Sequence, residues 1–212
     1  MNQSPCPLCQ SETAEFWLDK FREYRRCGNC DLISVPSRDW LSEKDEKAVY
    51  DLHENDVDDT GYQRFLSRLV DPLLEQLPSG SRGLDFGCGP GPALAQMLER
   101  RGHSVDLYDL FYYPRHSVWQ KRYQFITATE VVEHLKQPGQ ELLRLWELLE
   151  SGGLLGIMTK KARDLEAFRQ WHYKNDKTHI VFFSEVTFDY VCRWLKAELV
   201  YSSADVAILK KL

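Results

Sequence analysis

Residues 83–102, GLDFGCGPGPALAQMLERRG, predict a short strand, a glycine-rich turn and a helix in direct succession. We expect the strand to end at Asp85 and Gly102 to end the helix. The next segment, HSVDLYD, predicts a second strand that ends at Asp109. Two strands joined by a helix lie parallel in one sheet, with helices on its faces. This unit therefore restricts the chain to an α/β fold with a mostly parallel sheet.

The alternation of strands and helices continues to the C-terminus. Residues 123–130 and 154–159 are predicted to be strands, with an amphipathic helix at 139–153 between them. A last helix is expected at 184–196, and residues 197–212 predict two antiparallel strands joined by a tight turn. The pattern is typical of a doubly wound, Rossmann-like sheet that is mostly parallel and has an antiparallel C-terminal strand pair.

A cysteine pattern near the N-terminus predicts a separate small unit. Cys6, Cys9, Cys27 and Cys30 form two Cys-x2-Cys pairs with seventeen residues between the pairs. This spacing is typical of a tetrahedral zinc site, and a disulfide or redox pair is the alternative. A unit of about 35 residues cannot build a stable core alone, so a metal would hold it together. We predict a zinc ribbon with structural Zn(II).

The chain of 212 residues divides into three predicted segments. They are the zinc ribbon at 1–36, an acidic connector or lid at 37–60, and the α/β domain at 61–212. The net charge is −5, so bulk charge does not favour nucleic-acid binding. The chain shows no signal peptide and no apolar run of membrane-spanning length, which predicts a cytoplasmic protein without membrane insertion. The sequence leaves the oligomeric state open.

The glycine turn and the strands around it resemble the class I S-adenosylmethionine (SAM)-dependent methyltransferases. LDFGCGPG is similar to their first motif, and Asp109 to the acid that holds the SAM ribose. The whole chain is similar to small bacterial methyltransferases with an N-terminal zinc ribbon. A nicotinamide-binding domain is the alternative, but it does not account for the terminal strand pair. The resemblance implies that SAM is bound by Asp85, Gly87, Gly89, Gly91, Asp109, Phe111 and Thr129.

The family usually has a helix and a strand between the acid of the second strand and the next strand. Only residues 110–124 are available for both in this chain. We therefore expect the third strand of the family to be very short or lost. Phe111 or Tyr112 is expected to stack on the adenine, unless these rings only cover the sheet edge.

Acidic and histidine side chains follow the strand at 123–130. Glu130, Glu133 and His134 are spaced to share one face of a helical turn, and His179 lies in a polar loop after the next strand. This set resembles two metal-dependent branches, the small-RNA 3′-end 2′-O-methyltransferases and the demethylubiquinone-type O-methyltransferases. The resemblance implies that these four residues hold Mn²⁺ or Mg²⁺. Without a metal, EVVEHL only starts a helix, and the catalytic candidates are His179, His172 and Asp176.

Further polar and aromatic residues predict a lid or substrate contacts, with an ordinary surface loop as the alternative: Tyr50, His53, Asn55, Tyr62, Trp171 and Tyr173. The expected function is O-methylation of a hydroxyl on a small molecule or a nucleic-acid end. One alternative is a ribosomal or transfer RNA base methyltransferase. Its ribbon would bind RNA through Arg22, Arg25, Arg26, Phe16, Trp17 and Tyr24. A second alternative is a non-catalytic binding module, against which the intact glycine motif argues.

Overall fold

The computed structural model describes residues 5–52 and 56–212, and its strands form two sheets within these ranges. The strands are β1 (Thr13–Leu18), β2 (Glu23–Cys27), β3 (Ile33–Ser34), β4 (Arg82–Phe86), β5 (Ser104–Tyr108), β6 (Tyr123–Thr129), β7 (Leu149–Met158), β8 (Val181–Phe182), β9 (Ala197–Ser202) and β10 (Val206–Lys211). The helices are α1 (Glu43–Tyr50), α2 (Thr60–Leu74), α3 (Ala93–Glu99), α4 (Pro138–Leu148), α5 (Leu165–Gln170) and α6 (Glu185–Leu195). None of the helices in the described ranges has the length and apolar character that a membrane span needs.

The larger sheet has six strands in the order β5-β4-β6-β7-β10-β9. Strand β4 pairs in parallel with β5 and β6, and β6 pairs in parallel with β7. Strand β10 is antiparallel to both β7 and β9. This arrangement confirms the predicted doubly wound sheet with an antiparallel C-terminal pair. Strand β5 lies at the edge, and residues 110–122, all of which are described, add no strand beyond it.

The strands of the larger sheet are apolar because helices cover both of its faces. Leu84, Ile126 and Leu155 in the central strands are fully buried, and each buried side chain of this kind contributes roughly 1.5–3 kcal/mol. Helix α2 packs closely at Gly156, where an added Cβ would lie 2.9 Å from Leu69 Cδ1. Helix α2 therefore lies directly against the sheet, and its first turns line the cavity described below.

The smaller sheet joins the N-terminal unit to the rest of the protein. Its order is β1-β2-β3-β8, and β8 belongs to the loop that follows β7. Ile33 pairs with Phe182, and Ser34 pairs with Val181. We call residues 5–35 the ribbon. Its Leu8 and Leu32 lie in the same buried cluster as residues of α4 and α6, so the ribbon and the larger sheet share a core across the segment boundary predicted at residue 36.

The segment EVVEHL differs from its predicted helical turn. Glu130 has a left-handed backbone with φ of 53°, and only Val132–His134 forms a short 3-10 turn. Helix α4 begins later, at Pro138. A proline disfavours helical geometry in the residue before it and fits the first position of a helix, so the helix cannot extend back through Gln137. The prediction that Glu130, Glu133 and His134 share one helical face is wrong.

Candidate active site

A cavity of about 690 Å³ opens at the carboxyl ends of β4, β5 and β6. This edge of an open parallel sheet is where such folds bind ligands. Helices α1 and α2 close the cavity from above, with Glu46 and Tyr50 from α1 and Tyr62 from α2 in its wall. The glycine turn lies at one end, and His134 and His179 line the cavity as well. The cavity therefore brings together residues from both halves of the sheet.

The glycine turn after β4 needs glycine for steric and conformational reasons. Gly87 and Gly89 have φ values of 72° and 64°, in the left-handed region that side chains disfavour. A Cβ at Gly87 would lie 2.5 Å from Val131 Cγ2. Gly91 also lines the cavity, as does Thr129, whose buried hydroxyl has no hydrogen-bond partner within residues 5–52 and 56–212. This end of the cavity offers backbone and a hydroxyl to a ligand.

The carboxylate of Asp109 organises the backbone at the end of β5. It accepts hydrogen bonds from the amides of Gly89 at 3.0 Å, Phe111 at 2.8 Å and Tyr112 at 3.1 Å. Asp109 and both aromatic residues line the cavity. The Tyr112 hydroxyl also donates to Asp51 at 2.7 Å, just beyond α1. Asp109 thus joins the glycine turn to the aromatic segment.

Asp85 lies beneath the glycine turn and is 3% exposed. It accepts a hydrogen bond from the Thr127 hydroxyl at 2.8 Å. Burial raises the pKa of Asp85 to about 7 because the low-dielectric interior disfavours the charged carboxylate. A positively charged ligand in the cavity would favour the charged form.

Three side chains meet where the turn at Val132–His134 contacts the loop after β7. Glu133, His134 and His179 offer ligand atoms that all lie within 4.8 Å of one another. Nδ1 of His134 is 3.0 Å from the Thr178 carbonyl oxygen, and Nδ1 of His179 is 2.8 Å from the Tyr173 carbonyl oxygen. A carbonyl only accepts, so both Nδ1 atoms donate and the lone pair of each ring lies on Nε2. With its lone pair on Nε2, an imidazole can bind a metal ion or accept a proton from a substrate hydroxyl.

The carboxylate of Glu133 is fully buried. Its Oε1 accepts a short hydrogen bond from the Tyr173 hydroxyl, whereas its Oε2 receives none from the described part of the chain. Burial raises the pKa of Glu133 to about 7. Leaving a carboxylate oxygen buried and unpaired is costly, and a cation would remove this cost. The donor set of one carboxylate and two imidazoles fits a divalent transition-metal ion.

Glu130 lies outside this group of three. Its Oε2 is 3.2 Å from the Tyr173 hydroxyl, and its side chain lines the cavity. Burial and the neighbouring Glu133 raise the pKa of Glu130 to about 8. The sequence predicted four ligands, and the structure gathers three of them, with Glu130 beside them.

The four ribbon cysteines form a second candidate metal centre. The sulfur atoms of Cys6 and Cys30 are 3.5 Å apart, and those of Cys9 and Cys27 are 3.4 Å apart. All four lie within 4.8 Å of one another, and none is in a disulfide. A hydrogen bond from Cys30 lowers the pKa of Cys6 to about 5. Four converging sulfurs fit a closed tetrahedral zinc site.

Comparison with known proteins identifies the family. A sequence model described as a methyltransferase domain matches residues 59–196, well over half of the chain. The chain belongs to this methyltransferase family. Together with the glycine turn and the sheet, this membership makes it a SAM-dependent methyltransferase. No curated protein matches the sequence significantly.

Solved structures agree with this fold. The 1,6-didemethyltoxoflavin-N1-methyltransferase of Burkholderia thailandensis, bound to 1,6-didemethyltoxoflavin and S-adenosylhomocysteine, has a TM-score of 0.56 at 17% identity, covering 95% of this chain and 99% of that one. The N-methyltransferase NodS of Bradyrhizobium japonicum WM9, in complex with S-adenosylhomocysteine, has a TM-score of 0.51 at 16% identity, covering 79% and 97%. An O-methyltransferase family protein from Burkholderia thailandensis has a TM-score of 0.52 at 14% identity, covering 82% and 61%. At these identities the likeness shows the fold alone.

The remaining predicted site residues of the methyltransferase do not all line the cavity. His172 is exposed and is not in the cavity wall, in contrast to His179. Trp171 packs against Phe168 and Phe182 rather than over the cavity. Tyr173 lies behind the wall, against the two glutamates. His53 and Asn55 were predicted for the lid and lie outside the described residues.

Six ribbon side chains proposed for RNA contact are engaged within the protein. Arg22 and Tyr24 are buried. Arg25 donates to Thr13 and pairs with Glu23, and Arg26 pairs with Asp31. The Phe16 ring makes an edge-to-face contact with Phe168, and Trp17 lies under Arg169. These contacts leave the six residues little freedom to stack on bases or reach phosphates.

Replacing Asp109 by alanine is expected to lower the affinity of the methyltransferase for S-adenosylhomocysteine at least ~10-fold, because three backbone amides lose a charged acceptor. Isothermal titration calorimetry measures this affinity. Asp106→Ala is the matched control, since Asp106 lies on β5 three residues before Asp109 and pairs with Lys121 at 2.8 Å. Equal affinities for the two variants would contradict the assignment of Asp109.

Replacing Asp85 by asparagine is expected to stabilise the ligand-free enzyme at alkaline pH. A carboxyl whose folded pKa is raised to about 7 stabilises the fold at pH values below its unfolded pKa, and this stabilisation is lost as the pH rises through 7. The gain of the variant over the native enzyme should grow between pH 5 and pH 8, by at most about 3 kcal/mol. Urea unfolding at the two pH values measures it, and parallel pH profiles would contradict the prediction.

Proposed function

We propose that this methyltransferase transfers the methyl group of SAM to a hydroxyl of a small molecule, assisted by a divalent cation. The observation that carries the proposal is a single cavity, which has the glycine turn in one part of its wall and His134 and His179 in another. Its volume of about 690 Å³ lies within the usual range for small-molecule sites. A cavity of this size suits a cofactor and a small acceptor.

The cofactor end of the cavity would bind SAM through the chain's own polar groups. In this proposal Asp109 would accept hydrogen bonds from the ribose hydroxyls, and the Gly87–Gly89 backbone would lie beside the rest of the cofactor. Phe111 lines the same end and packs 5.9 Å from the Tyr50 ring, so the two rings can enclose the adenine. SAM supplies an electrophilic methyl group on a positively charged sulfur, so no covalent bond to the enzyme is needed. The acceptor oxygen gains the methyl group, and the sulfur keeps the electrons of the broken bond.

Glu133, His134 and His179 would hold the cation at the acceptor end. A bound divalent cation lowers the pKa of a hydroxyl beside it. Asp176 is placed to receive the proton, because it lines the cavity and its Oδ2 lies 3.8 Å from Nε2 of His179. Burial opposes ionisation of Asp176, but hydrogen bonds donated by the Thr178 amide and hydroxyl outweigh burial and keep the pKa of Asp176 below its ordinary value. Asp176 is therefore charged and able to accept at neutral pH.

The structural role proposed for zinc is separate. Cys6, Cys9, Cys27 and Cys30 would hold Zn(II) in a closed site without a position for substrate. In this proposal one catalytic protein consists of three segments: the ribbon, the connector and the larger α/β unit.

Replacing Glu133 by glutamine is expected to weaken Mn²⁺ binding about 10- to 100-fold, since the site loses its charged ligand. Electron paramagnetic resonance of free Mn²⁺ measures the affinity. Glu130→Gln is the matched control because Glu130 lies outside the group of three, and its effect should be several-fold smaller. Affinity for S-adenosylhomocysteine should stay unchanged in both variants. Unaltered Mn²⁺ binding in Glu133→Gln would remove the cation from the proposal.

The two alternative functions have distinct consequences. An RNA base methyltransferase would need the ribbon to contact RNA, but its six candidate side chains are engaged within the protein. A non-catalytic module would bind no SAM, although Asp109 and the glycine turn are intact. The first alternative predicts labelled RNA, and the second predicts no labelled product.

The acceptor class is tested by incubating the enzyme with methyl-labelled SAM and a methyltransferase-depleted cell extract separated into RNA, protein and small-molecule fractions. We expect label in the small-molecule fraction. A chelator, at a dose that leaves the zinc content unchanged, should abolish this labelling, and Mn²⁺ should restore it. Label in RNA would support the base methyltransferase instead. Label that persists without any divalent cation would leave His179 as a metal-free general base.

A further inference from the structure

The guanidinium of Arg22 leaves the ribbon and enters the loop that carries Asp176 and His179. Arg22 is only 7% exposed. Its NH1 donates to the carbonyl oxygens of His179 at 3.0 Å and Lys177 at 3.4 Å. Its NH2 donates to the carbonyl oxygen of Asp176 at 3.1 Å and, in a short contact, to that of Lys174. One side chain thus binds four carbonyls within six consecutive residues.

The same loop is fixed on its other side by the proposed catalytic groups. The Thr178 carbonyl accepts from Nδ1 of His134 at 3.0 Å, and the Ile180 amide donates to the Glu133 carbonyl at 2.9 Å. The loop therefore lies between Arg22 and the group of Glu133, His134 and His179. A displacement of its backbone would move both imidazoles relative to the cavity.

Arg22 is itself held firmly by the ribbon. The carboxylate of Asp19 accepts from the Phe21 amide at 2.7 Å and the Arg22 amide at 2.8 Å, which shapes the turn between β1 and β2. The same carboxylate is 3.4 Å from Nζ of Lys174 in the loop. Pairing of β3 with β8 fixes the chain directly after the loop. The ribbon thus holds the loop by a side chain and by a strand.

We propose that Arg22 is a positioning residue for methyl transfer, through which the ribbon sets the places of Asp176 and His179 in the cavity. The inference rests on the roles that the proposed function gives to these two residues. In this account the ribbon is part of the catalytic apparatus without touching SAM. Arg22 was a candidate RNA contact in the sequence, and its burial among loop carbonyls gives it a different role.

The chemistry of arginine suits this task and that of lysine does not. A guanidinium presents five N–H donors in a rigid plane, so it can serve several carbonyls at once. A lysine ammonium concentrates three donors on one atom and cannot span the same set.

The glycine turn does not depend on Arg22. It is held by Asp109 and by the Tyr108 carbonyl, to which the Gly87 amide donates at 2.7 Å. Loss of Arg22 should therefore affect turnover and leave cofactor binding intact.

The test compares Arg22→Lys with Arg25→Lys in the full-length, zinc-loaded enzyme. Arg25 is the matched control because it also lies in the β1–β2 hairpin, but among the described residues it donates only within the ribbon, to Thr13 and Glu23. For Arg22→Lys we expect kcat with the accepting small-molecule fraction to fall about 10²-fold. We expect affinity for S-adenosylhomocysteine to stay within about twofold, and Arg25→Lys to match the native enzyme.

Hydrogen exchange supplies a readout that does not depend on the acceptor. In Arg22→Lys, exchange should accelerate at residues 173–181 and remain native at residues 86–92. A second variant, Arg22→Ala, should regain part of its kcat with added methylguanidinium, whereas Arg25→Ala should show no such gain. These results would support positioning, because a general loss of stability would change both regions and would not be rescued by a small cation.

Two outcomes overturn the inference. Native kcat in zinc-loaded Arg22→Lys would do so, as would equal losses in the Arg22 and Arg25 variants. Measuring His179→Ala in parallel separates this failure from failure of the proposed function. If His179→Ala loses kcat while Arg22→Lys does not, only the positioning role is wrong. If His179→Ala keeps its kcat, the proposed role of His179 is wrong, and the inference about Arg22 fails with it.

Discussion

Replacing His179 by alanine is expected to lower kcat by roughly 10²-fold or more, with little change in SAM affinity. The variant would lose an imidazole that lines the cavity, whose Nδ1 is fixed on the Tyr173 carbonyl at 2.8 Å. The ring is neutral at pH 7, because burial and the nearby His134 lower the pKa of His179 to about 4. Steady-state kinetics and calorimetry with S-adenosylhomocysteine measure the two effects separately.

His172→Ala is the control for this experiment. His172 lies seven residues earlier in the same loop but is exposed and away from the cavity wall. The His172→Ala variant should keep native kcat. The difference in kcat between the two variants then reports the effect of a histidine at the cavity wall, as distinct from the loss of any histidine in this loop. Full turnover in His179→Ala, or equal losses in both variants, would show that the acceptor end of the site is wrongly assigned.

Replacing Cys30 by serine is expected to release zinc and lower Tm by about 10 °C or more. Structural zinc contributes on the order of 10 kcal/mol in small zinc units, and a loss of about 1 kcal/mol lowers Tm by roughly 2–4 °C in a chain of this size. Cys30 is fully buried in the cluster that the ribbon shares with the larger sheet. Zinc content and differential scanning calorimetry measure the two changes.

Cys192→Ser is the matched control. Cys192 lies half-buried on α6 and is not one of the four clustered cysteines. It should keep its zinc and lose at most a few degrees of Tm. If Cys30→Ser keeps the native zinc content and Tm, the four cysteines do not hold a structural metal ion.

Local patterns allowed most of the larger sheet to be predicted. The strand, glycine turn and helix around Asp85 depend on neighbouring residues, and so does Ser184, whose side chain accepts from the Thr187 amide to start α6. The spacing of Glu130, Glu133 and His134 suits a helix, so a helical turn was predicted there, although α4 begins only at Pro138. The backbone restriction imposed by Pro138 outweighs that spacing.

The parts of the site that the sequence did not predict depend on contacts between distant residues. Arg22 binds carbonyls more than 150 residues away, and no local pattern indicates such a contact. The sequence also could not distinguish His172 from His179, because both lie in the same polar segment and only the folded path of the chain brings His179 to the cavity wall. Glu46 of the connector enters the cavity wall and pairs with Lys136 at 3.7 Å, a placement that only tertiary packing determines.

The most direct test of the account is the chemical identity of the methylated product. The enzyme is incubated with SAM carrying a ¹³C-methyl group and the small-molecule fraction, and the product is examined by ¹³C nuclear magnetic resonance. The account predicts a methyl signal with the chemical shift of carbon bound to oxygen, absent with His179→Ala. A methyl carbon bound to nitrogen would contradict O-methylation, and label found only in RNA would contradict the small-molecule acceptor.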